Sequence, residues 1–151
     1  MEIDHNGLEV LSREESLYLL GTVPVARIGL TMGALPVILP VNFTVDDGEI
    51  ILRTVEGTKM DAALANAVVA VEMDDFDSIS HSGWSVLVRG MSRVLALPGE
   101  LERARSLALR PWAGEAPDRY VAIATDLVSG RRIRSPYFGD RHGAVSRRAH
   151  Y

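Results

Sequence analysis

Asp47-Gly48 stands between two runs rich in apolar and β-branched residues, Phe43-Thr44-Val45 and Glu49-Ile50-Ile51-Leu52-Arg53-Thr54. A two-residue hairpin needs positive φ at both central positions, and Asp-Gly tolerates this better than almost any other pair. Similar punctuation recurs along the chain. Val25 to Thr31 alternates loosely and ends at Met32-Gly33, and Val68 to Met73 is an apolar strand. The longest alternation runs from Trp84 to Leu97, with Trp84, Val86 and Val88 on one face, Ser85, Leu87 and Arg89 on the other, and Gly90 as a bulge or bend. Tyr120 to Val128 gives a last strand before Ser129-Gly130. About six strands, joined mostly as hairpins, predict a mainly β fold: a small antiparallel β-barrel with peripheral helices.

The helices are short. Ser12-Arg13-Glu14-Glu15 has the form of a capping box, Leu17, Leu19 and Leu20 supply an apolar side, and Gly21 is placed to end the helix. Thr58 to Asn66 and Glu100 to Leu109 are further helical stretches, the latter following Pro98-Gly99. Leu35 to Val45 reads as a strand, but Pro36 and Pro40 cannot donate to a ladder, so an edge or an irregularity is expected near Pro40. Asp74 to Gly83 is polar and long enough to be a functional loop. The barrel domain is expected over residues 1–133. The basic tail, 134–151, has no periodicity and is expected to be disordered or wrapped on a partner subunit.

The chain has 151 residues and no cysteine, which excludes thiolate metal sites, disulfides and cysteine nucleophiles. Residues 1–100 carry 15 acidic and 6 basic side chains, and residues 101–151 carry 5 and 10, which sum to the net charge of −4. An acidic body argues against nucleic-acid binding. Met1 to Gly7 lacks an apolar signal core, and runs such as Leu35 to Val41 are far too short to span a bilayer. A cytoplasmic protein with no membrane partner is expected. Asp74, Asp75 and Asp77 lack the glycine and terminal glutamate of a calcium loop, so no metal site is expected.

Lys59 is the single lysine among 16 basic residues. It follows Gly57-Thr58 at an expected helix start, shortly after Arg53-Thr54 at a strand end. A guanidinium, two hydroxyls, an ammonium and unpaired helix amides in one place suit a phosphate monoester. The alternative is plainer: Thr58 as an ordinary N-cap, with Arg53 and Lys59 as solvated surface charges.

Read together, Pro40-Val41-Asn42-Phe43, Asp46-Asp47-Gly48, Arg53-Thr54, Gly57-Thr58-Lys59 and Leu64-Ala65-Asn66 resemble the pyridoxamine 5'-phosphate oxidase-like family of flavin-binding split barrels. Gly83-Trp84-Ser85-Val86, Val88-Arg89-Gly90 and Gly130-Arg131-Arg132 are similar to an actinobacterial branch of it. The resemblance covers about residues 8–133. It implies a six-stranded split barrel and a homodimer with two flavin mononucleotide (FMN) sites at the subunit interface. Carried over by position, Arg53, Thr54, Thr58 and Lys59 would hold the phosphate, and the Pro40 to Phe43 strand, with Val41 and Asn42, would run along the isoalloxazine ring. Asn42 is otherwise a turn-forming polar residue on a barrel rim. Trp84 and Ser85 would border the ring from the same or the partner subunit.

The implied function is an FMN-dependent oxidoreductase acting on a small molecule. The alternatives are a deazaflavin-dependent reductase, whose longer anionic tail would need Arg131, Arg132 and Arg134, and a non-catalytic flavin- or haem-binding dimer. The namesake's C-terminal segment for its substrate phosphate has no match here, so vitamin B6 oxidation is not expected. His5, His142 and His150 are expected to be exposed. His81 either faces a substrate or haem or lies in an exposed loop, and Trp112 is expected to cover an apolar patch near the second main helix.

Overall fold

The computed structural model describes residues 1–109 and 118–134. Trp112, His142, His150 and the tail beyond 134 lie outside the described residues. The elements are β1 (Glu2–Ile3), β2 (Glu9–Leu11), α1 (Arg13–Leu20), β3 (Val25–Met32), β4 (Leu35–Asn42), β5 (Thr44–Asp46) and β6 (Glu49–Val55). They continue with α2 (Lys59–Ala63), β7 (Val68–Asp77), β8 (Ser82–Val94), α3 (Pro98–Ser106), β9 (Asp118–Ile123) and β10 (Leu127–Ile133).

Two antiparallel sheets share β8. One runs β1-β2-β10-β8-β7-β3-β4, and the other continues from β8 through β9 and β6 to β5. β4 pairs only with β3, while β6 pairs with β5 and β9, so the barrel stays open between β4 and β6. This is the split barrel. Its interior is filled by alternate residues of the strands, including Ile28, Val41, Leu52, Val71, Val86, Val88 and Val121, with Leu20 and Leu64 added from the α1 and α2 ends. A second cluster, Ile51, Leu95, Ala104, Leu109, Tyr120 and Ala122, packs α3 on the outside.

The tight turns follow their residues. Asp47 and Gly48 both have positive φ, 50° and 75°, and close the β5–β6 hairpin with Asp46 opposite Glu49. Ser12 caps α1, its Oγ accepting from the Glu15 amide at 3.1 Å, while the Glu15 carboxylate reaches Arg132 instead of closing the box. Gly21 caps the helix without a left-handed turn, at φ −76°.

Other boundaries move. The break in the Leu35 to Val45 stretch comes at Phe43, where the chain leaves one sheet for the other; Pro36 and Pro40 sit within β4, tolerated because it is an edge strand. The expected Asp74 to Gly83 loop is mostly ladder: Asp74 to Asp77 pair with Ser82 to Ser85, leaving a short turn. His81 lies in that turn, exposed and at φ 53°. Tyr120 to Val128 divides into β9 and β10, and Ser129-Gly130 lies inside β10 rather than ending a strand. A Cβ at Gly130 would run into Ser16 Oγ, so this glycine lets α1 pack on the sheet. Gly90 keeps regular pairing with Val69 and forms no bulge; it is bare because the Ala124 carbonyl lies against it where β8 passes between the sheets. Among the described residues, no helix is long and apolar enough to cross a membrane.

Two backbone positions give opposite expectations. Ala34 closes the β3–β4 hairpin at φ 64°, so Ala34→Gly should raise stability by about 1 kcal/mol. Gly90→Ala should cost about 3 kcal/mol, because the barrier is backbone. Urea midpoints at constant m-value check both.

Candidate functional site

The gap in the barrel is a cavity of about 400 Å³. Residues 39–42 of β4 form one wall and residues 52–55 of β6 the other, with Thr58 and Met60 at one end. The size is that of an ordinary small-molecule site. Its β4 wall is an edge strand, so backbone polar groups line it without a ladder partner on that side. Leu39, Val41, Leu52, Val55 and Met60 make the lining largely apolar. Val41, Asn42, Arg53, Thr54 and Thr58, five of the expected site residues, border this cavity.

The end of the cavity is built on a buried carboxylate. Asp61 is only 3% exposed. Its Oδ1 accepts from Thr54 Oγ1 at 3.0 Å, and its Oδ2 accepts from the Gly57 amide at 3.0 Å and lies 3.3 Å from Arg119 Nη1. Thr58 Oγ1 donates to the Val55 carbonyl at 2.9 Å and accepts from the Asp61 amide at 3.1 Å. Gly57, at φ 84°, makes the turn between them. Both hydroxyls are therefore engaged in shaping the loop. The α2 amides of Lys59 and Met60, in its first turn, have no intrahelical acceptor.

Arg53 is not brought to this point. Side chains alternate along β6, so Thr54 faces the barrel side and Arg53 the α3 side. The Arg53 guanidinium binds Asp118 and donates to the Leu109 carbonyl at 3.0 Å, and it lies over the Tyr120 ring. The Asp118 hydrogen bond, opposed by burial, raises its already high pKa. Arg53 thus joins the residues flanking 110–117. Arg53 and Thr58 border one cavity, as the sequence suggested, but the Arg53 guanidinium is engaged by Asp118 and Leu109 on the face opposite Thr54.

The arginine on the Thr54 side is Arg119, directly opposite Thr54 in the β6–β9 register. It reaches the loop from β9, holding Glu56 at 2.9 Å and Asp61 at 3.3 Å. Sequence reasoning missed it because Arg119 is 65 positions from Thr54 and only the ladder joins them. Lys59 begins α2 and is exposed, with no ion pair among the described residues. Trp84 and Ser85 lie away from the seam: Trp84 packs partly against the barrel core, and Ser85 is on the outer face opposite Asp74 and Arg131. Arg131 is held by Asp4, Arg132 by Glu15 and Glu9, and Arg134 by Glu9. Among the described residues, no group of three or more His, Asp or Glu side chains could hold a metal ion.

Residues 12–132 match the family described as pyridoxamine 5'-phosphate oxidase. An uncharacterised protein of Mycobacterium tuberculosis is 41% identical over 82% of this chain and 84% of its own. The structure of the FAD binding protein from Mycobacterium smegmatis superposes with a TM-score of 0.71 at 35% identity, covering 83% of this chain and 97% of that one. An FAD-binding protein from Mesorhizobium loti gives a TM-score of 0.67 at 25% identity, covering 83% of this chain and 96% of that one.

The Asp61 node predicts a graded response. Asp61→Asn sets an amide against donors and leaves Arg119 without its buried partner, so it should destabilise the fold by about 3 kcal/mol. Thr54→Val removes one of several donors to Asp61 and should cost about 1 kcal/mol. Urea denaturation of both variants gives the comparison.

Proposed function

Because this chain belongs to the pyridoxamine 5'-phosphate oxidase family, we propose that it is a flavin-binding protein that seats its cofactor in the seam between β4 and β6 and acts as an oxidoreductase on a small molecule. The observation that carries this reading is the polarity of the seam. It is an apolar slot along a strand edge that ends at Thr58 and Met60, the two lining residues on either side of the exposed Lys59 in the chain. A flavin mononucleotide has the same polarity, with a flat aromatic ring at one end and a phosphate at the other.

In this arrangement Leu39, Val41, Leu52 and Met60 pack against the ring, and the β4 edge meets its polar rim. Pro40 presents a carbonyl and no amide there. Lys59, with the first amides of α2, holds the phosphate, and Thr54 and Thr58 keep the loop in shape. When bound, the flavin supplies hydride transfer at its N5. The chain's part is to bind and orient the ring and to exclude water from one side of it.

FMN is the portion that the seam and the α2 loop would hold. FAD, the ligand named for the two structural relatives, contains the same half, so either form uses these residues. The deazaflavin alternative needs a longer basic groove, and the pairing of Arg131, Arg132 and Arg134 with Asp4, Glu9 and Glu15 argues for the flavin instead. Trp84 and Ser85 would border the ring only from a partner subunit, which makes a homodimer part of the reading.

Titration of the purified protein with FMN, FAD and riboflavin, followed by flavin fluorescence, tests the proposal. FMN should bind, and Lys59→Ala should weaken it about 10- to 100-fold, as expected for loss of a charge-assisted contact. Riboflavin, which lacks the phosphate, should be unaffected by that change. Arg53→Ala should lower stability without separating the two ligands. Failure of all three flavins to bind at micromolar concentration would overturn the proposal.

A further inference from the structure

The outer face of β3, β4, β7 and β8 carries apolar and charged groups that one chain leaves unsatisfied. Ile38, Gly29, Ala70 and Arg89 are successive cross-strand neighbours on this face. Gly29 and Ala70 are small, and a shallow groove of about 320 Å³ lies over them. Ile38 and Val68 stand beside it, 73% and 72% exposed. An apolar surface of this kind on a sheet whose other face is the core marks an interaction site.

The charges on the face are unbalanced in the same place. Arg27 on β3 donates to Glu72 Oε2 at 3.3 Å and to Asp74 Oδ2 at 2.9 Å, so one guanidinium serves two carboxylates of β7. Burial, and then the adjacent Asp74, push Glu72 up to about 7. No position in the same cross-strand rows supplies a free second cation: β4 offers Pro40, β8 offers Leu87 and Ser85, and Arg131 on β10 is held by Asp4. One row away, Arg89 on β8 is exposed and has no ion pair among the described residues. A surplus carboxylate and a surplus guanidinium therefore share one face without meeting.

We propose that a second copy of this chain docks face to face on the β3-β4-β7-β8 sheet, with Arg89 of each copy set against the partner's Glu72 and the partner's Asp74. A twofold axis lying between the stacked sheets and passing midway between Arg89 and Glu72 makes both contacts at once, since an isologous interface pairs each position reciprocally. The apolar groove and ridge then fill the centre, and the charges sit beside them. Pro40 belongs both to this face and to the wall of the seam cavity, so the docked copy extends to the mouth of the flavin site. The inference rests on the homodimer reading above and assigns it a face and a charge pair.

Docking brings a cation to Glu72 and lowers its pKa relative to the single chain, so association releases a proton. It is strongest above pH 7 and weakens as pH falls through the value of about 7 that Glu72 has alone. The loss between pH 8 and pH 6 should be about tenfold per Glu72, or about a hundredfold for the symmetric pair.

Sedimentation equilibrium of the full chain at pH 8 and pH 6 is the test, with circular dichroism to verify folding. Wild type should be a dimer that weakens at pH 6. Arg89→Glu and Glu72→Lys should each raise the dimer dissociation constant by about a hundredfold or more, and the two combined should recover most of it. Ile38→Asp, at an exposed position, should dissociate the dimer without touching either charge. A stable dimer indifferent to Arg89→Glu, Glu72→Lys and Ile38→Asp would overturn the assigned face while leaving the homodimer and its flavin site standing. A wild type that stays monomeric would overturn both this docking and the homodimer reading, and flavin titration of that monomer would still judge the seam.

Discussion

The ladder that β4 and β6 do not form governs much of what surrounds it. The chain passes from β4 to β5 at Phe43, whose side chain is buried in the barrel core. Pro36 and Pro40 remove two amide donors from the β4 backbone. β4 then ends as an edge paired only with β3, and β6 takes its partners from β5 and β9. A closed barrel would have satisfied those backbone groups and filled the space between them. The split barrel leaves a slot with an apolar floor and polar strand edges, which is the environment a flat heteroaromatic ring requires.

Beside that slot the chain commits polar groups to holding its own shape. Asp61 gathers a threonine hydroxyl, a glycine amide and a guanidinium from three elements, and Thr58 ties the turn to the helix. Burying a carboxylate is tolerated only with such partners. The result is a rigid loop in which Arg119 already has acidic partners, Glu56 and Asp61, while Lys59 projects into solvent. Charge available to a ligand and charge used for structure thus sit within a few residues of one another. Only the fold tells them apart.

Local chemistry made several elements legible in the sequence. Asp47-Gly48 accepts the positive φ that a tight hairpin imposes, and Ser12 provides the oxygen that a helix start lacks. The pattern failed where tertiary contacts decide. Asp74 to Asp77 look like a solvated loop, yet each pairs with a residue of β8, and Asp77 then caps the turn through the Ile79 and Ser80 amides. Gly130 looks like a turn, yet it lies within a strand because Ser16 occupies the space of its missing Cβ. Of the proposed site residues, Val41, Asn42, Thr54 and Thr58 were placed at one cavity, whereas Trp84 and Ser85 were not, and the Arg53 guanidinium is turned to another face.

Sequence by itself determined the mainly β class, the Asp47-Gly48 hairpin turn and the family resemblance, because these depend on backbone preferences and short spacings. Period-two alternation also separates Arg53 from Thr54. It does not say which of them faces the cavity, since that depends on which side of β6 the core occupies. Tertiary structure decided that Arg53 anchors Leu109 and Asp118, that Arg119 serves the loop, and that Arg27, Glu72, Asp74 and Arg89 share one outer face. The physical reason is common to all three: charges act over a few ångströms, and only strand pairing brings distant positions that close.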